Sequence, residues 1–142
     1  MRAAVVDASV AAKWVAQEEL TEQADALLTG VALCAPAHWQ AEAVNALWGR
    51  VHRNEWDAGT AGERASALMR APVESVALPG LIDRALRHSI DLRVTIYDSL
   101  YVALAEARRL PLVTADRKLL LKMRRSPALA ALAHWLGDVP AQ

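Results

Sequence analysis

Polar and apolar positions along this chain follow two periods, short continuous apolar runs and longer stretches in which apolar residues return every three or four positions. Ala3 to Val6 is apolar throughout and stops at Asp7, as a central strand buried on both faces would. A helix then starts, with Asp7 or Ser9 at its cap and Val10 and Trp14 on one face. A second helix, roughly Glu22 to Leu28, ends before Gly30, and Val31 to Ala35 supplies the next strand before Pro36. From Ala37 a long helix runs to about Arg53, with Trp39, Ala43, Ala46, Leu47 and Val51 along its apolar side. Asp57 to Met69 reads as a further helix, Glu74 to Leu78 as a short strand closed by Pro79 and Gly80, and Leu81 to Ser89 as a helical turn or two.

The stretch from Arg93 to Asp116 organises the rest, because it reads as helix, tight link and buried strand with an acid at each end. Thr95, followed three residues later by Asp98 and then by an apolar run, is a helix-start signature. Tyr97, Leu100, Tyr101, Leu104 and Arg108 form a stripe that should face a core. Pro111 cannot continue the helix, and Leu112 to Ala115 suits a strand buried on both faces. Beyond Asp116 comes a basic amphipathic helix through Arg125, broken by Ser126 and Pro127, and Ala133 to Leu136 is a candidate edge strand. Strands alternating with helices imply a parallel sheet with right-handed crossovers.

Length and composition narrow the class. A chain of 142 residues is expected to form one domain, 1–142. With 54% hydrophobic and 23% charged residues it is not expected to be disordered, and no apolar run nears the ~20 residues of a membrane span. The N-terminal apolar run is too short for the core of a signal peptide, so the expected location is cytoplasmic. Cys34 is the only cysteine and reads as a small buried residue. The formal charge is zero, with 16 basic and 16 acidic residues, so no global basic field advertises nucleic acid. If divalent cations occupied four of the acids, the 16 basic and remaining 12 acidic residues would leave +4 on the rest of the surface.

Four acids are placed to meet. Asp7 ends a strand, Asp116 ends another, Asp98 opens a helix, and Glu42 lies on the margin of an apolar stripe where a carboxylate needs a reason to point inward. The carboxyl ends of parallel strands are where ligands bind. Taken singly, Asp98 also fits as the reciprocal member of a capping box and Asp116 as the N-cap of the next helix. Hard carboxylate oxygens without His or Cys select Mg²⁺ or Mn²⁺ rather than zinc. His38, His52, His88 and His134 show no ligand spacing and read as surface or packing residues. Trp48 lies on the side of its helix opposite Trp39, so either it packs on the neighbouring helix or it anchors a partner in a groove formed by residues 37–69.

Val5-Val-Asp7-Ala-Ser9, Ala-Glu42-Ala-Val-Asn-Ala-Leu, Tyr97-Asp98-Ser-Leu-Tyr-Val-Ala-Leu-Ala and Leu112-Val-Thr114-Ala-Asp116 together resemble the PIN-domain ribonucleases, specifically the VapC-type toxins of bacterial toxin–antitoxin pairs. The resemblance covers nearly the whole chain. It implies a three-layer α/β/α sandwich with a central, mostly parallel sheet of about five short strands. It also implies a metal-dependent endoribonuclease cleaving single-stranded or looped RNA, held inactive by a cognate antitoxin and usually a homodimer. By position, Asp7, Glu42, Asp98 and Asp116 would carry one or two Mg²⁺ or Mn²⁺ ions, with Ser9 and Thr114 as supporting hydroxyls. Asp116 would act either directly or through water.

Other classes fit less well. A phosphatase forming an aspartyl-phosphate, as in the HAD-like enzymes, carries Asp-x-Asp where this chain has Ser9. A receiver-type signalling domain lacks its lysine here, and neither glycine-rich nucleotide motif occurs. A catalytically silent PIN-like interaction module remains as the non-enzymatic alternative.

Overall fold

Asp7 does two jobs at once, ending the first strand and capping the helix that follows. The computed structural model describes residues 1–142. In chain order the elements are β1 (Ala3–Val6), α1 (Ala8–Ala11), α2 (Thr21–Leu27), β2 (Ala32–Pro36), α3 (Trp39–His52), α4 (Ala58–Met69), β3 (Val73–Val76), α5 (Ile82–Leu92), α6 (Ile96–Arg108), β4 (Leu112–Thr114), α7 (Arg117–Arg124), α8 (Pro127–Ala130) and β5 (Ala133–Trp135).

The sheet has five strands in the order β3-β2-β1-β4-β5, and every pair is parallel. The expected architecture is therefore present, with a sheet wholly rather than mostly parallel. Val5 stands opposite Cys34 on one side and Leu112 on the other, which puts β1 at the centre. The chain builds outward from β1 through β2 and β3, then crosses back to β4 and β5. The order thus reverses between β1 and β4, and such a switch point opens a crevice at the strands' carboxyl ends. Asp7 and Asp116 follow those two strands.

Alternation along the short strands fills both faces. Ala4, Val6, Leu33 and Val113 pack with Val10, Ala24, Leu27 and Leu136 on one side. Val5, Cys34 and Leu112 pack with Trp39, Leu47, Leu104 and Leu119 on the other. Each fully buried Leu or Val contributes roughly 1.5–3 kcal/mol by leaving water, so the helical layers hold the sheet from both sides. No helix is long and apolar enough to cross a membrane.

Helix α6 departs from its amphipathic reading. Ser99 through Ala105 are all buried, so the helix is enclosed on every side rather than along one stripe. Its inner side lies on β1, β2 and β4 while α5 packs across its outer side. Tyr97, expected on the core stripe, is instead 59% exposed, with its ring 6.1 Å from that of His38 rather than in the core. Ser126 and Pro127 do break the basic helix, but Pro127 then opens the short α8, its fixed φ suiting the first helical position.

Candidate active site

Asp7 is almost fully buried, 6% exposed, and both its oxygens are engaged. Oδ1 accepts from the Ser9 amide at 2.8 Å and from the Ser9 hydroxyl, while Oδ2 accepts from the Thr114 hydroxyl. Ser9 Oγ in turn accepts from the Ala115 amide at 3.1 Å, and Thr114 Oγ1 from the Asp116 amide at 2.9 Å. Two hydroxyls thus bind the ends of β1 and β4 together around one carboxylate. Burial pushes the Asp7 carboxyl up to about 6; the Ser9 and Thr114 bonds oppose this, and the nearby charge of Asp116 adds to it.

Asp116 caps α7 as the sequence allowed, accepting from the amides of Lys118 at 2.9 Å and Leu119 at 3.2 Å. Both bonds reach Oδ1, which leaves Oδ2 without a protein donor. Asp98 behaves differently. Its amide donates to Thr95 Oγ1 at 3.2 Å, so Thr95 is the N-cap, yet the returning bond of a capping box is not formed. The Asp98 carboxylate accepts no protein hydrogen bond. Burial pushes its carboxyl above the usual range, and the charges of Asp116 and then Glu42 push it further, against weaker opposition from His38 and Lys122. Asp98 and Asp116, from different elements, therefore share one edge close enough to repel.

Glu42, in the first turn of α3, is a third acid at this edge and is held by donors. Tyr101 Oη donates to its Oε1 at 2.7 Å, and His38 Nε2 lies 2.9 Å from the same oxygen. Burial raises the Glu42 carboxyl, but these two partners outweigh burial and hold it below its ordinary value. His38, read as a surface or packing residue, does pack, and it also ties Glu42 to the start of α6. Its ring packs 4.9 Å from Tyr101, its Nε2 also meets Tyr97 O at 3.0 Å, and its buried Nδ1 has no partner. The signal was present in the sequence, since His38 and Glu42 are four apart on one helix and Tyr101 sits three beyond Asp98.

No three of the His, Cys, Asp and Glu side chains stand close enough to enclose an ion by themselves. The donor set is still that of a hard divalent cation. It consists of carboxylate oxygens alone, two of the carboxyls raised first by burial and further by the charge of neighbouring acids, which a cation would offset. Mg²⁺ in particular is held through one or two carboxylates, the remaining positions going to water and phosphate oxygens.

A PIN domain family model matches residues 4–125. The fold is similar to the crystal structure of PAE2754 from Pyrobaculum aerophilum, at 26% identity and a TM-score of 0.67 over 94% of this chain and 83% of that one. No curated protein is significantly similar to the chain.

Proposed function

This chain belongs to the PIN-domain family, and from that premise we propose that residues 1–142 form one PIN domain acting as a Mg²⁺- or Mn²⁺-dependent endoribonuclease, the toxin of a VapC-type toxin–antitoxin pair. The observation that carries the reading is the Asp98 carboxylate, free of protein hydrogen bonds and within reach of the charges of Asp116 and Glu42, near the switch point of the sheet. Asp98 and Asp116 each have an oxygen free of protein donors, and with Asp7 and Glu42 beside them these four acids would hold the ion. Asp7, fixed by Ser9 and Thr114, and Glu42, fixed by Tyr101 and His38, add charge whose orientation is set before any ligand arrives. A cation bound there supplies a more acidic water and neutralises charge on the phosphate oxygens.

The reaction class is phosphodiester hydrolysis. A water oxygen joins the phosphorus, the bond to a ribose oxygen breaks, and no covalent bond to the protein forms. An aspartyl-phosphate route is disfavoured because both oxygens of Asp7, the strand-end acid, are already tied to Ser9 and Thr114. The test is the chemistry of the cut ends. Attack by water leaves linear phosphates, whereas 2′,3′-cyclic phosphates would reveal attack by the ribose 2′-hydroxyl and sink the proposal.

A cognate antitoxin, a homodimer and a cytoplasmic location belong to the same proposal. The antitoxin and the location rest on the resemblance of the motifs. The dimer has support in α5, where Ile82, Leu86 and Ile90, four residues apart, are 43%, 52% and 68% exposed along one side.

A further inference from the structure

A cavity of about 530 Å³ opens beside the acids, between the turn after α1 and one side of α3. Ser9 and Glu42 form its near end, so it is continuous with the candidate active site. Its far wall carries Lys13, Arg50 and Arg53, with Trp48 beside them. Glu42, Asn45, Gly49 and Arg53 recur every three or four positions, so one side of α3 floors the cavity from acid to base. Gly49 weakens a helix interior but leaves that floor bare, and a Cβ there would come 3.1 Å from Arg53 Nη1.

Two of these cations are held in place, while Arg53 is mostly exposed and pairs with Glu55 at 2.9 Å. The Lys13 and Arg50 side chains are 12% and 21% exposed, and Glu18 stands between them, 3.0 Å from Lys13 Nζ and 2.5 Å from Arg50 Nη2. Lys13 thereby uses one of the three donors an ammonium carries. Folding has already ordered these side chains, so an anion that takes the remaining donors has little ordering left to impose. Trp48 is 59% exposed and stacks on His52 at 5.1 Å and 15°, which steadies the ring while leaving it open to solvent. On the other side of Glu42, a second cavity of about 360 Å³ is bordered by Tyr97, also 59% exposed. Glu42 and Asn45 border both cavities.

We propose that the two cavities form one track for single-stranded RNA, resting on the ribonuclease reading of the acids between them. Lys13 and Arg50 contact a backbone phosphate on one side of the cut bond and Trp48 stacks a base there. Tyr97 stacks a base on the other side. Cations beside exposed rings are how unpaired strands are held without sequence reading. A peptide helix is a poorer occupant, because five of the seven apolar residues lining the larger cavity are alanines, too shallow to seat large side chains.

The test is binding of a short labelled single-stranded RNA of mixed sequence, followed by fluorescence anisotropy in chelator so that no strand is cut. Trp48→Ala should weaken binding about tenfold with no change in salt dependence, since stacking releases no counterions. Lys13→Gln should weaken binding and lower the log–log salt slope by about 0.7, the value of one single-strand phosphate contact. Because Trp48 lies on the surface, its variant remains informative if the loss of Lys13 disturbs folding. Wild-type binding of both variants, in a protein that cleaves RNA when metal is added, overturns the track and leaves the ribonuclease reading standing. Weakened binding as described, in a wild type that never cleaves, upholds the track and removes the ribonuclease reading. No RNA binding by the wild type overturns the track, as does unchanged RNA binding with self-association or capture of a protein partner lost, which would make this face a protein interface.

Discussion

Tyr101 Oη donates a hydrogen bond to Glu42 Oε1 at 2.7 Å, joining the helix that carries Asp98 to the helix that carries Glu42. The bond raises the Tyr101 phenol well above its usual range, after burial as the larger cause, and it helps keep Glu42 ionised. Tyr101→Phe removes the donor and keeps the ring. It should cost about 1 kcal/mol in denaturant unfolding, the size of one hydrogen bond. It should also weaken Mg²⁺ or Mn²⁺ binding by about tenfold in calorimetric titration, as loss of a supporting partner does. Unchanged stability and unchanged metal binding together would remove Tyr101 from the site.

Asp7 gives a pH dependence with a definite sign. Its ordinary value is 3.8 and burial in the fold lifts it to about 6, so the folded protein favours the protonated form. That stability is fully present below about pH 4 and is lost as the pH rises through about 6. Ionised Asp7 then costs the metal-free protein up to about 3 kcal/mol at pH 7.5. Asp7→Asn, unfolded by urea in chelator at a series of pH values, should match wild type near pH 4 and exceed it increasingly towards pH 7.5. A variant less stable than wild type across the whole range would contradict the burial argument.

The sequence carried much of this edge, for reasons that lie in local chemistry. Ala3 to Val6 had to be a strand because an uninterrupted apolar run ends there at a capping acid, and Thr95 had to start a helix because its hydroxyl can reach the Asp98 amide. Glu42 was legible as misplaced on an apolar margin. The enclosure of α6 was not legible, because it depends on α5 packing over its outer side, a contact that no periodicity within α6 encodes. His38 escaped because its role arises from Tyr97, Tyr101 and Glu42 converging on one ring from two helices. Arg108 was read as the last position of the core-facing stripe of α6, but it makes a two-pronged pair with Glu74 at 3.0 and 2.6 Å, a partner 34 positions away.

The exposed stripe on α5 bears on assembly. Leu86→Glu places a charge in the middle of Ile82, Leu86 and Ile90. If that stripe joins two copies, light scattering behind a sizing column should show the mass fall from dimer to monomer. The effect on the monomer's own stability should be within about 0.5 kcal/mol, since the position is already exposed. A wild type that is monomeric at high concentration would refute the dimer.

Asp98 separates the metal reading from simple capping. Asp98→Asn removes one of the repelling charges, so the metal-free variant should melt higher than wild type. Metal stabilises only the form that binds it, so wild type should gain on adding Mg²⁺ or Mn²⁺ while the variant gains little. Capping predicts the reverse order in chelator, by about 0.5 kcal/mol through the helix dipole. A variant that melts lower in chelator and is equally stabilised by metal would return Asp98 to an ordinary helix start.

Cleavage of RNA by the purified chain, free of any partner, tests the central claim most directly when run with Mg²⁺ or Mn²⁺ and again in excess EDTA. Oxygen-only ligands predict internal cuts with either metal, no cuts in EDTA, recovery when metal is restored, and no activity in Asp98→Asn under any of these conditions. Full activity in excess EDTA, or an Asp98→Asn variant as active as wild type, would contradict it.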